Sequence, residues 1–138
     1  MENITRNKAH EFVMQTLYSY LIYEKCEREF NIVDEIELIF GLDYNEIDVY
    51  VRELILACLK HVDEARDNIS KNLQNWAFNR LNYCVQAILI MAYTEYFYVK
   101  DSDKAIVINI AIKLAKKYAD SNDYRFINGV LDNTLNGK

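Results

Sequence analysis

The chain has 138 residues, of which 51% are hydrophobic, and its formal net charge is -5 at pH 7. This length and hydrophobic content suit one folded domain and argue against an intrinsically disordered protein. The absence of proline and the presence of only three glycines favour helices over a turn-rich β-fold. The N-terminus MENITRNKAHEF lacks a secretory signal, and the longest apolar stretch is too short to span a bilayer. We therefore expect a soluble cytoplasmic protein without a membrane partner.

The apolar residues recur at helical spacing along nearly the whole chain, which predicts about seven helices. The first helix should cover roughly residues 6–24, judged by that spacing. A short second helix should begin after Asn31, a suitable N-cap, and end at Gly41. Asn45 and Asp48 have the spacing of a capping box, so the third helix is predicted to begin at Asn45.

The apolar spacing in the second half of the chain predicts four more helices. The fourth segment runs as far as Trp76, which we expect to be shielded beside the fifth helix. The fifth segment, RLNYCVQAILIMAYTEYF, is apolar almost all round and should be the most enclosed helix. The polar breaks KDSD and DSND separate a sixth and a seventh helix. Gly129 lies inside the seventh helix, where glycine costs about 1 kcal/mol relative to alanine, so we expect the fifth helix to approach it closely.

The charges are unevenly distributed along the chain. Residues 27–67 contain four basic and twelve acidic residues, a net charge of -8, whereas residues 68–138 contain nine and six, a net charge of +3. One surface can therefore attract phosphate while the whole molecule remains acidic. Ordinary solvated helix faces of chance composition would give the same totals, so charge alone leaves both interpretations open.

The sequence contains no recognisable pattern for catalysis, metal binding or cofactor binding. His10 and His61 are the only histidines, and neither has other ligands at metal-binding spacing. Cys26, Cys58 and Cys84 are odd in number and widely separated, which argues against a disulfide framework or a zinc site and favours reduced thiols. Glycine-rich phosphate loops, nucleophile elbows and HExxH motifs are also absent from the sequence. We therefore predict a protein that is not an enzyme and that holds no metal or cofactor.

One face of the first helix has the residue types of a nucleic-acid surface. Lys8, Glu11, Gln15 and Tyr18 are spaced at 3, 4 and 3 residues and therefore share that face. A base, an amide and an aromatic ring can engage phosphate, base edge and base plane respectively. An ordinary amphipathic surface is the alternative interpretation.

The break between the sixth and seventh helices predicts a phosphate-binding patch. Lys116 and Lys117 end the sixth helix, and Arg125 lies near the start of the seventh. The first backbone N–H groups of a helix lack intrahelical partners, so those of residues 122–125 are suited to bind an anion. These groups and the basic side chains should converge on one patch.

Three segments of the chain resemble the NusB family of transcription antitermination factors. VINIAIKLAKKYADSNDYRFINGVLD, residues 107–132, is similar to the family's C-terminal pattern V-I-N-E-A-V-E-L-A-K-x-[YF]-G…F-[VI]-N-G-V-L-D. RNKAHEFVMQTLYSY, residues 6–20, resembles the family's basic stretch followed by A-x-E-x-x-x-Q-x-L-Y. RLNYCVQAILIMAYTEY, residues 80–96, resembles its central helix, where L-R-x-A-x-x-E-L is usual. The resemblance covers nearly the whole chain.

The resemblance implies an all-α protein of two small helical bundles packed together, in a single RNA-binding domain over residues 1–138. It implies binding of boxA-type RNA from ribosomal RNA leaders together with NusE, a small-subunit ribosomal protein. Through the elongating RNA polymerase complex, such a factor promotes processive rRNA transcription. With the patch described above, the predicted RNA-binding residues are Arg6, Asn7, Lys8, Gln15, Tyr18, Lys116, Lys117, Tyr118, Asn122, Arg125 and Phe126. The predicted partner-binding residues are Tyr18 and Val85.

The chain departs from the family pattern at several charged positions. The basic N-terminus is reduced to Arg6, Asn7 and Lys8, which predicts weaker RNA binding with a shallower salt dependence. Four further positions have lost the family's charge or changed its sign: Val85, Ile90, Ile110 and Lys113. Two alternatives remain open. One is a NusB-like protein-interaction bundle that has lost RNA recognition, and the other is a detached RNA-binding domain related to the rRNA 5-methylcytosine methyltransferases.

Overall fold

The structure is a computed structural model that describes residues 6–99, 102–120 and 122–137. It contains seven α-helices: α1 (Arg6–Lys25), α2 (Ile32–Phe40), α3 (Val49–Lys60), α4 (Val62–Ser70), α5 (Tyr83–Tyr98), α6 (Lys104–Tyr118) and α7 (Asp123–Thr134). Two single-turn 3-10 helices, Tyr44–Glu46 and Phe78–Arg80, precede α3 and α5. The described ranges contain no strand, and the prediction of an all-α fold with seven helices is confirmed.

The ends of the helices follow local sequence signals, with one exception. The side chain of Asn31 accepts a backbone N–H of α2, and Gly41 ends that helix in the left-handed conformation, both as predicted. The prediction that α3 begins at Asn45 is wrong, because Asn45 lies in a 3-10 turn. The side chain of Asp48 instead caps α3 by accepting the Tyr50 N–H at 2.8 Å.

The α5 helix is the centre of the fold. Its twelve consecutive residues 85–96 are all buried, which confirms the prediction that this helix is the most enclosed. The α1 helix packs on α2, α3 and α5, while α4, α6 and α7 pack on α5, and α7 also packs on α4 and α6. These contacts form the two predicted small bundles, joined along α5. Ile90 is fully buried, so the family's arginine is replaced at this position by a core residue.

A buried polar cluster connects α1 and α3 to α5. His10 of α1 is 1% exposed, and its Nε2 atom lies 3.0 Å from each carboxylate oxygen of Glu95 in α5. The hydroxyl of Tyr50 in α3 donates a hydrogen bond to the same carboxylate. A buried carboxylate is costly unless it is hydrogen-bonded, so these contacts fix how α1 and α3 pack on α5. The cluster thereby positions the N-terminal half of α1.

Two side chains lie in environments opposite to those predicted. Trp76 is 59% exposed rather than shielded, because α4 ends at Ser70 and Trp76 lies in the segment that connects α4 to α5. Val85, predicted to contact a partner, is 2% exposed and belongs to the chain's own core. A side chain that is buried in this way offers no contact surface, so the partner-binding prediction at Val85 is corrected.

Within the described ranges, no helix combines the length and the apolar character that crossing a membrane requires.

Gly129 also differs from its prediction, because no helix approaches it closely. The residue is exposed, and beyond its chain neighbours and the backbone of its own helix, a Cβ atom at this position would meet no atom within 4 Å. The packing of this chain therefore does not require glycine here.

Replacing Gly129 with alanine is expected to stabilise the fold. Gly129→Ala should raise the free energy of unfolding by about 1 kcal/mol, since alanine loses less backbone entropy in a helix. Gly41 is the matched control: its φ of 68° lies in the left-handed region, so Gly41→Ala should lower stability by about 1–2 kcal/mol. Urea denaturation of both variants measures these changes, and a less stable Gly129→Ala protein would contradict the expectation.

Candidate nucleic-acid interface

A surface pocket of about 500 Å³ lies where the middle of α1 meets the start of α5 and the end of α6. Tyr18 of α1 and Tyr118 of α6 line it and are 42% and 39% exposed. The ring of Tyr83 meets that of Tyr18 edge-on, with 6.3 Å between the ring centroids. The other lining residues are Asn79, Leu81, Asn82, Cys84, Ala119 and Asp120. Aromatic rings beside carboxamide groups can stack on nucleobases and hydrogen-bond to their edges.

The connection between α6 and α7 carries a basic cluster around Tyr124. The Nζ atom of Lys116 lies 4.8 Å from the centroid of the Tyr124 ring, and the guanidinium carbon of Arg125 lies 5.7 Å from it. Both cations are within cation–π range. Arg125 Nε also donates to the Tyr124 hydroxyl at 3.2 Å, and this bond, with the charges of Arg125 and Lys116, lowers the pKa of the phenol. The basic side chains on the two sides of the break do converge.

Lys117 is engaged elsewhere, in an ion pair between α6 and α1. Its Nζ atom lies 2.5 Å from Oε1 of Glu11, and the Nζ atom of Lys8 lies 3.3 Å from Oε2 of the same carboxylate. The hydrogen bond from Lys117 holds the pKa of Glu11 below its usual value, and the same bond raises the pKa of Lys117. Glu11 therefore partly compensates two of the predicted RNA-binding lysines.

The start of α7 is a poorer anion site than predicted. The backbone N–H of Asp123 is already bonded to the Asp120 carbonyl at 2.9 Å, so the prediction of a free group is wrong at this residue. The Asp123 carboxylate accepts the N–H of Asp120 at 3.1 Å, which places a negative charge beside the helix terminus. Asn122 is exposed and makes no side-chain cap hydrogen bond.

The remaining predicted residues differ in accessibility. Lys8 is exposed, whereas Gln15 and Phe126 are half-buried. The side chains of Arg6 and Asn7 lie outside the part of the chain that the structure describes. Sequence reasoning missed four residues of the interface, Asn79, Asn82, Tyr83 and Tyr124. The asparagines and the tyrosine in NRLNY, residues 79–83, and the tyrosine next to Arg125 were the available signals.

The sequence model of the NusB family matches residues 7–136. The chain belongs to the NusB family. It is 34% identical to the transcription antitermination protein of Exiguobacterium sp., over 94% of this chain and 96% of that protein. It is 37% identical to that of Nitratiruptor sp., over 93% and 89%, and 32% identical to that of Bacillus subtilis, over 93% and 92%. The family consists of antitermination factors rather than enzymes, which confirms the non-enzymatic prediction.

Solved structures of family members have the same fold. T. maritima NusB superposes with a TM-score of 0.82 at 25% sequence identity, over 97% of this chain and 92% of that one. The NusB chain of a crystal structure of NusB and NusE in complex with dsRNA gives a TM-score of 0.78 at 23% identity, over 94% and 95%. The family resemblance predicted from the three motifs is confirmed.

Proposed function

We propose that this chain is a single-domain transcription antitermination factor that binds boxA-type RNA of ribosomal RNA leaders together with NusE. Through the elongating RNA polymerase complex, it would promote processive rRNA transcription. Family membership and relatives named transcription antitermination proteins support this function over a detached methyltransferase domain. The solved complex of a NusB with NusE and dsRNA supports RNA and NusE as partners.

The observation that carries the proposal is the pocket at Tyr18 and Tyr118 together with the basic cluster around Tyr124. Tyr118 of the pocket and Lys116 of the cluster both lie in the last turn of α6, so the aromatic pocket and the cluster belong to the same end of that helix. In this arrangement Lys116 and Arg125 bind backbone phosphates, which supplies affinity and orientation. Unstacked bases enter the aromatic pocket, where ring stacking, the carboxamide of Asn79 and the amide NH₂ of Asn82, whose oxygen caps α5, supply selectivity.

The NusE-facing surface is proposed to follow α1. Tyr18 is the predicted partner contact that remains after the correction at Val85. Ile22 lies one helical turn further along α1 and is 37% exposed, so the two side chains share a face. An aromatic and an aliphatic side chain side by side suit the apolar centre of a protein interface.

A protein-interaction bundle without RNA recognition is the second candidate function. Trp76 is 59% exposed, and tryptophan is among the residues that most often dominate protein interfaces. In addition, Lys8 and Lys117 both contact Glu11, which weakens their attraction for phosphate.

A titration of the full chain with boxA-type RNA, with and without NusE, tests the proposed function. We expect saturable binding that NusE strengthens and that weakens as salt rises, with weaker binding to an RNA of scrambled boxA sequence. Binding to NusE without any binding to either RNA would instead favour the protein-interaction bundle.

A separate prediction concerns the RNA affinity of the aromatic pocket, measured in the absence of NusE. Tyr18→Ala should weaken RNA binding by about 1–3 kcal/mol with little change in salt dependence, since it removes a stacking surface and no charge. Tyr98→Ala is the matched control, because Tyr98 is 45% exposed and lies about 22 Å from Tyr83 along α5. RNA titrations at several salt concentrations measure both effects. Equal losses in the two variants would show that no base stacks on Tyr18.

A further inference from the structure

A groove of about 180 Å³ lies between α1 and α6, outside the aromatic pocket and the Tyr124 cluster. Its lining residues are Glu11, Ile110, Lys113, Leu114 and Lys117. Leu114 is buried and Ile110 is half-buried, so these two give the groove an apolar floor. Lys113 and Lys117 are exposed and lie one helical turn apart, so they give it a basic rim.

The charges around this groove leave Lys113 uncompensated. Glu11 is the only acidic residue of the lining, and its carboxylate already contacts the ammonium groups of Lys8 and Lys117. Across the described ranges of the chain, no carboxylate oxygen lies within ion-pair distance of the Lys113 ammonium group. The two lysines and one glutamate of the lining give the groove a net positive charge, and Lys8 beside Glu11 adds to it, so the groove attracts an anion.

The groove is continuous with the proposed RNA surface. Lys113 is exposed and precedes the exposed residues Lys116 and Lys117 by three and four positions, so it is a surface neighbour of both on α6. Lys116 belongs to the Tyr124 cluster, and Tyr118 lines the aromatic pocket. Lys113 therefore extends the basic surface of α6 by about 5 Å along the helix axis, toward the groove.

We propose that this groove binds the sugar–phosphate backbone of the RNA and that Lys113 is a phosphate contact. The inference rests on the proposed function, because it assumes that the chain binds RNA. Ribose carbons would lie on Ile110 and Leu114, while the Lys113 ammonium group meets the phosphate oxygens as a mobile point charge. Lys113 stands where the family pattern has glutamate, so this contact belongs to this chain and offsets part of the reduced basic N-terminus.

The test is a titration of wild-type protein and Lys113→Gln with the same boxA-type RNA at several salt concentrations. One lost phosphate contact should reduce the slope of log affinity against log salt by about 0.7–0.9. The affinity ratio of wild type to variant should accordingly shrink about threefold between about 50 and 200 mM salt. Lys60→Gln is the matched control, because Lys60 is also exposed but lies in α3, within the acidic part of the chain. That variant should keep the wild-type slope, and Lys113→Arg should restore it.

The results of this titration distinguish a failure of the groove proposal from a failure of the proposed RNA-binding function on which it rests. Failure of the wild-type protein itself to bind RNA would remove the proposed function and this inference with it. Wild-type binding that Lys113→Gln reproduces in affinity and salt slope would overturn the groove inference alone. A Lys113→Gln variant that binds RNA normally but loses affinity for NusE would also overturn it, because the groove would then be a protein contact.

Discussion

Reversing the charges of Lys116 and Arg125 together is expected to weaken binding to boxA-type RNA on the order of 100-fold at low salt. Each reversal removes an attraction for phosphate and adds a repulsion. The slope of log affinity against log salt should fall by about 1.4–1.8 for two lost contacts. The loss should become smaller as salt rises, because the charges are exposed and therefore screened. Titrations of Lys116→Glu, Arg125→Glu protein over a range of salt measure both quantities.

Arg125 is reversed rather than Lys117 because Lys117 forms an ion pair with Glu11. A glutamate at position 117 would face the carboxylate of Glu11 across the α1–α6 contact, so a folding defect would accompany any loss of binding. Lys116 and Arg125 are both exposed, and the contacts described above involve only Tyr124 rather than a carboxylate.

A second double reversal controls for the change in net charge. Lys25→Glu, Lys60→Glu changes the net charge by the same amount at two exposed lysines that, like Lys116, lie in the last turn of a helix. This control should retain most of the affinity. If both double variants bind equally well, the cluster around Tyr124 is an ordinary solvated surface.

Removal of the Glu95 carboxylate should have the largest effect on stability among the polar residues. Glu95→Ala is expected to lower the free energy of unfolding by about 3 kcal/mol, because His10 and Tyr50 both lose this buried acceptor. For a domain of this size, the melting temperature should fall by on the order of 10 °C. Calorimetry or thermal denaturation followed by circular dichroism measures the change.

Glu53→Ala is the matched control for that measurement. Glu53 lies on the exposed side of α3, so its removal should change stability by less than about 0.5 kcal/mol. A Glu95→Ala variant as stable as Glu53→Ala would show that the buried cluster does not hold α1 and α3 on α5.

The helices, the central position of α5 and the ends of most elements could be predicted from the amino-acid sequence. These features depend on residues within one or two turns of each other: apolar spacing along α5, the N-cap at Asn31 and the left-handed glycine at Gly41. The convergence of Lys116 and Arg125 was predictable for the same reason, since a short polar break separates them. The α3 boundary was missed because Asn45 lies inside the 3-10 turn Tyr44–Glu46, while Asp48, the second residue of the predicted capping box, is itself the N-cap of α3.

Whether a predicted side chain is accessible to a partner depends on tertiary packing, which the sequence pattern does not show. Lys117 and Glu11 are 106 residues apart in sequence, yet their ion pair reduces the charge that either presents to RNA. The buried position of Val85 depends on the helices that pack around α5, and Trp76 is exposed because α4 ends before it. The pocket at Tyr18 and the groove at Lys113 arise between helices that are distant in sequence. Periodicity describes one helix at a time, whereas accessibility and charge compensation are set by the neighbours that packing brings against it.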